Sequence, residues 1–205
     1  MTEPRILVLG IGNVLWADEG FGVRCAERLH DEWDLGDDVR VMDGGTQGLY
    51  LVPYVTASAH VLVLDAIDYR DPPGTLRIVR DDAVPASMGA NAMSLHQMGF
   101  QDVLAAAALL GKTPASLTLI GVQPEMLEDY GGGLTRTVAA RVEDAVVLAI
   151  EELVAWGAHP VRRAARPESL MAASIRRDVY EGGRPSAEDA CRIGDARFMP
   201  RTGDV

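Results

Sequence analysis

The chain reads as an α/β protein built on a mostly parallel sheet, and three observations predict it. Strand-like and helix-like stretches alternate from residue 5 onward, the pattern left by βαβ units. The runs ILVLGI and VLVL are almost wholly aliphatic, as strands covered by helices on both faces tend to be. Aromatic residues make up only 5% of a chain that is 48% hydrophobic, so a sizeable core has to come from Val, Leu, Ile and Ala.

The elements follow in order. Residues 6–11 form a first strand that turns tightly at Gly10-Ile11-Gly12. Asp18 is placed to cap a helix whose Phe21, Cys25, Leu29 and Trp33 recur every four positions and face the sheet. Residues 39–42 are a second strand ending at Asp43-Gly44-Gly45-Thr46, and a short helix over 49–55 leads to a third strand, 60–65, which closes on Asp65. Asp71-Pro72-Pro73-Gly74 is a turn, with a fourth strand over 75–79. The gap between these two strands is too short for a crossover helix, which predicts an antiparallel strand at a sheet edge.

An alanine-rich helix runs from 96 to 110 and stops at Gly111, residues 116–122 are the fifth strand, and a helix capped by Thr135 ends at Gly157. One domain over 1–158 is therefore expected. Residues 159–205, rich in Arg, Pro and Gly, are expected to be a flexible extension with one short helix between 168 and 180.

Charge and cysteine content narrow the function. The net charge is −11, which repels nucleic acid and anionic membrane at long range. Residues 1–160 carry 10 Lys and Arg against 23 Asp and Glu, whereas 161–205 carry 9 against 7, so the body is near −13 and the tail near +2. Cys25 and Cys191 suggest neither a disulfide framework nor a thiolate metal site, and Cys25 reads as core. The N-terminus shows no signal peptide, and no apolar run reaches roughly 18 residues. A cytoplasmic protein is expected.

The motif after the first strand begins as a dinucleotide loop and then departs from it. The third glycine falls due at position 15, where the chain has Leu15, and Asp18 and Glu19 stand where a helix N-terminus would hold a pyrophosphate. Asp43, as a ribose acid, lies about ten residues beyond the usual offset. Carboxylates in that place suit a cation better than a phosphate.

Ligands of open α/β sheets gather beyond the carboxyl ends of the strands, and four groups stand at such ends: Glu19, Asp43, Asp65 and His96. Two carboxylates and an imidazole are a reasonable set for a divalent transition metal with positions left open. Each has a structural reading as well. Glu19 can stabilise a helix N-terminus, His96 can cap a helix, Asp43-Gly44-Gly45 can be a plain turn, and Met93 and Met98 can be packing. Asp65, after a fully apolar strand, is the costliest to explain without a partner. HExxH, GxSxG and a Cys-His pair are all missing from the sequence.

Taken together, GIGNVLWADEGFGVR, DGGTQG, VLVLDAID, SLHQMGFQDVL and GVQPEMLE resemble the hydrogenase maturation endopeptidases, over residues 5 to about 157. The resemblance implies a three-layer α/β/α fold with a twisted five-stranded sheet. It also implies an activity, removal of a short C-terminal extension from the large-subunit precursor of nickel-iron hydrogenase after nickel insertion. By the same resemblance Glu19, Asp65 and His96 are metal-contacting positions, and the segment Asp43, Gly44, Gly45 matters for activity. The expected cofactor is nickel supplied by the substrate, with no permanently bound metal, and the catalytic candidates are Asp43 and Asp65. The expected partner is the precursor, met by a monomer, with no role for nucleic acid or membrane. The alternative is a nickel-binding maturation chaperone that cuts nothing. Shorter members of the family lack the residues after about 160, which are assigned no catalytic role here.

Overall fold

Three strands form the middle of the sheet because their sequences are apolar on both faces: β1 (Ile6–Ile11), β4 (His60–Ala66) and β6 (Ser116–Val122) are buried along almost their whole length. The half-buried strands β3 (Val39–Gly45) and β5 (Leu76–Arg80) take the edges, giving the order β3-β1-β4-β6-β5. All neighbours are parallel except β5 and β6. The edge strand is antiparallel, as the short connection requires. The computed structural model describes residues 5–89, 95–180 and 182, and for residues 89 and 95–98 the backbone alone.

Because side chains alternate across a strand, the sheet feeds two cores. On one face Ile6, Val8, Leu62, Leu64 and Ile120 pack against α1 (Phe21–Glu32) and α6 (Val142–Ala155). On the other, Leu7, Leu9, Val61, Val63 and Leu119 pack against α2 (Val52–Ala57), α3 (Ala83–Gly89) and α4 (Leu95–Leu109). This is a three-layer α/β/α arrangement. Phe21, Cys25 and Leu29 of α1 are fully buried, as their spacing predicts. Burial pushes the Cys25 thiol upward, which leaves it an inert core residue.

Close approach of α1 to the sheet depends on Gly22. A Cβ there would lie 1.9 Å from the Leu64 carbonyl oxygen and 2.5 Å from that of Ile11. The glycine missing at position 15 is thus supplied later, within the helix itself.

Several expectations need correction. Asp18 does not cap α1: the helix is entered through a 3-10 turn, Ala17–Gly20, and no side chain caps either. Trp33 does not continue the helical stripe; with Asp34 it forms β2 (Trp33–Asp34), antiparallel to β7 (Val161–Arg162). The short helix after β3 is a 3-10 turn, Gly48–Leu51, running into α2. The final helix comes in two pieces, α5 (Arg136–Ala139), capped by Thr135, and then α6.

Residues 161–180 lie against α1. Arg162 pairs with Glu32 at 2.7 Å, Arg166 pairs with Asp31, and Arg163 Nε donates to the carbonyls of His30 and Trp33 at 3.2 and 2.9 Å. The His30 ring meets the Glu168 carbonyl at 3.0 Å. Helical turns occur at Ala173–Ile175 and at α7 (Arg177–Tyr180). Basic tail and acidic body are thereby brought together within one chain.

Candidate functional site

The chain leaves β1 for β3 on one side and then crosses to β4 on the other. The sheet order reverses between β1 and β4, the place where open α/β sheets hold their ligands. Gly12 sits at that reversal with φ +126°, and a Cβ on it would stand 1.8 Å from the Glu19 carbonyl oxygen and 3.8 Å from Asp65 Oδ1. Its N–H donates to the Gly45 carbonyl at 3.1 Å. One glycine therefore borders the Glu19 backbone, Asp65 and the Asp43-Gly45 loop, and a side chain at its position would displace the Glu19 backbone.

Asp65 is fully buried at the carboxyl end of β4, and its Oδ1 accepts from the Ala66 N–H at 2.8 Å. Glu19 is half-buried in the 3-10 turn that packs against β4. That turn is held in place by its neighbour. The buried Asp18 carboxylate accepts from the N–H groups of Glu125 and Met126, both at 2.9 Å, and from the Thr135 N–H and hydroxyl at 2.7 and 3.1 Å.

The segment GVQPEM thus donates two amides to the loop that carries Glu19. Gln123 pins another part of the rim, its Oε1 accepting from the N–H of Tyr69 at 2.7 Å and its Nε2 donating to Asp68 at 2.9 Å. Removing the Asp18 carboxylate leaves four part-buried donors without their acceptor, a loss of about 3 kcal/mol in all. Asp18→Ala is expected to lower the melting temperature by roughly 6–12 °C, at about 2–4 °C per kcal/mol for a chain this size. A thermal melt unchanged from wild type would contradict this latch.

Asp43 is half-buried at the end of β3, where the pairing of β1 with β3 shifts register between Gly10 and Ile11. Its Oδ1 is buried without a hydrogen bond of good geometry. Burial raises its carboxyl above the ordinary range, opposed by the Gly45 amide and the Arg24 guanidinium and aided by Glu27. Asp43 and Gly12 share a cavity of about 190 Å³ whose lining also includes Asn13, Val23, Thr46 and Ile175.

Of the four positions singled out from the sequence, Asp65 stands beside Gly12 with its carboxylate and Glu19 with its backbone carbonyl, while Asp43 lines a cavity with Gly12. His96 falls in the first turn of α4, and its side chain, like those of Met93 and Met98, lies outside the described residues. Among the described residues no three His, Cys, Asp or Glu side chains come together as a metal set.

Two participants were missed by the sequence reading. Tyr69 places its phenol over Gly121, where a Cβ would stand 2.1 Å from the hydroxyl oxygen, and Gly121 is the register partner of Asp65. Burial first, then the Asp65 carboxylate, raises the Tyr69 phenol. Ile175 enters the Asp43 cavity from the C-terminal extension. A tyrosine next to a turn and an isoleucine in an irregular segment carry no sequence signal for either role.

Comparison with known proteins agrees with this architecture. The family model described as HycI, hydrogenase maturation protease, matches residues 23–152. The hydrogenase expression/formation protein HupD of Rhodobacter capsulatus is 55% identical over 201 residues, covering 98% of this chain and 96% of its own. The hydrogenase 2 maturation protease of Escherichia coli is 43% identical over 162 residues, covering 78% of this chain and 98% of its own. The solved structure of the hydrogenase maturating endopeptidase HybD from E. coli superposes with a TM-score of 0.75 at 43% identity, over 78% of this chain and 98% of that one. An α/β/α body with a buried acid beside the sheet reversal, a family model spanning most of it and a relative alike along nearly its whole length lead to one conclusion: this chain belongs to the hydrogenase maturation protease family.

Proposed function

We propose that this protein removes the C-terminal extension of a nickel-iron hydrogenase large-subunit precursor once nickel is in place, and that it recognises the nickel the precursor carries. Glu19, Asp65 and His96 contact that ion as part of the substrate. The observation carrying the reading is the placement of Asp65, a fully buried acid at the carboxyl end of a central strand, bordering the same glycine as the Glu19 turn. An acid so placed is costly unless a cation or strong donor meets it.

A precursor without nickel offers these carboxylates nothing to neutralise them, whereas a nickel-loaded one supplies the charge and docks its scissile bond in the cleft. Nickel bound there polarises the peptide carbonyl or activates a water. Asp43 takes up the proton of the attacking water, and the burial that raises its carboxyl makes its ionised form the stronger base.

The partner in this reading is that precursor, and the compartment is the cytoplasm. No helix among the described residues is long and apolar enough to cross a membrane. Mass spectrometry of nickel-loaded precursor after incubation tests the reaction itself. Loss of the mass of a C-terminal peptide is expected; an unchanged mass with the metal transferred would establish a non-proteolytic nickel chaperone instead.

A further inference from the structure

The extension does more than cover α1. Its residue Ile175 lines the Asp43 cavity, and it is fixed there from two sides. Arg24, buried on α1, donates through Nη1 to the Ile175 carbonyl at 2.7 Å and to Glu27 Oε2 at 3.0 Å. Glu27 in turn accepts from the Arg177 N–H at 3.2 Å. Met171, itself buried, places its sulfur 3.8 Å from the same Arg24 nitrogen. Arg24 and Glu27 belong to the helix that Gly22 seats directly on the sheet, so Ile175 is tied to the same rigid element that borders the site.

We propose that Ile175 is a specificity-determining residue of the peptidase cleft, forming with Val14, Leu15 and Val23 an apolar subsite that receives one aliphatic side chain of the precursor beside the scissile bond. The proposal rests on the peptidase reading above. At about 190 Å³ the cavity is smaller than the roughly 300–1,000 Å³ typical of sites for whole small molecules, which suits a single side chain of a peptide. Its lining is divided: the aliphatic residues supply the pocket, while Asp43, Asn13 and Thr46 keep a polar edge for the peptide backbone.

The test uses the full-length chain, as wild type, Ile175→Trp and Ile175→Ala. The substrates are nickel-loaded precursors in which each residue flanking the cut is replaced in turn by Ala and by Leu. In an apolar pocket one methylene is worth roughly 10- to 200-fold in discrimination. Ile175→Trp is therefore expected to raise KM about tenfold with kcat unchanged, and Ile175→Ala to move the preference at one flanking position toward the larger side chain by about tenfold. A purely structural role would not change the ranking at a single substrate position. If wild type cleaves while both variants keep its kcat/KM and its ranking, the subsite is overturned and the peptidase reading stands. If wild type cleaves none of the precursors, both fall.

Discussion

Asp65→Asn is expected to abolish processing of nickel-loaded precursor while leaving the fold intact. The loss should be about 10³-fold or more, corresponding to several kcal/mol of transition-state stabilisation by the metal contact. Asparagine keeps the Oδ1 acceptor that meets the Ala66 N–H and the volume at the end of β4, so no cavity opens in the surrounding core. It removes the charge and exchanges the second carboxylate oxygen for an NH2 group of similar size. Removing a buried charge does not by itself destabilise a fold, since burial penalises the ionised form, and the thermal melt should stay close to wild type. Steady-state processing rates and melting curves of the two proteins check this together. Wild-type rates in the variant would exclude Asp65 from the reaction; a melt lowered by many degrees would make it a structural acid.

Asp43→Asn should cost roughly 10²–10⁴-fold in rate, the usual worth of a positioned proton acceptor, and its pH behaviour identifies the cause. Burial holds the Asp43 carboxyl above its ordinary value in the folded state, with Gly45 and Arg24 only partly offsetting it. The native state therefore binds that proton more tightly than the unfolded chain. Its contribution to stability is complete below the unfolded pKa and is lost as pH rises through the folded one. A neutral asparagine carries no such penalty. Asp43→Asn should thus melt no lower than wild type at neutral pH, the difference between them vanishing in acid. In wild type the acid limb of the rate profile should lie above the ordinary aspartate range, and it should be absent from the residual activity of the variant. An identical acid limb in both proteins would assign it to another group.

The strands were legible because their burial demands it. The runs ILVLGI and VLVL have no polar face to offer water, and the antiparallel edge followed from the length of the connection before it. Glu19, Asp43 and Asp65 could be singled out because acids are conspicuous at the ends of apolar strands, and the reversal between β1 and β4 puts Asp65 and the Glu19 turn beside one glycine.

What stayed hidden depends on distant partners. Asp18 looks like a helix cap in sequence because its neighbours are helical, yet its carboxylate is claimed by amides more than 100 residues away. Helix α3 carries Pro85 and no apolar period long enough to show. The arginines of the tail look like a solvated charge run until Glu32, Asp31 and the open carbonyls at the end of α1 face them. His96 was legible only as an imidazole at the start of a helix, and its side chain lies outside the described residues.

The most direct test of nickel recognition is the initial cleavage rate of two precursor preparations identical in sequence, one loaded with nickel and one free of it, with metal-free enzyme and peptide release followed by mass. Release from the loaded precursor alone is the expected result. Equal release from both would mean that Glu19 and Asp65 do not read the metal.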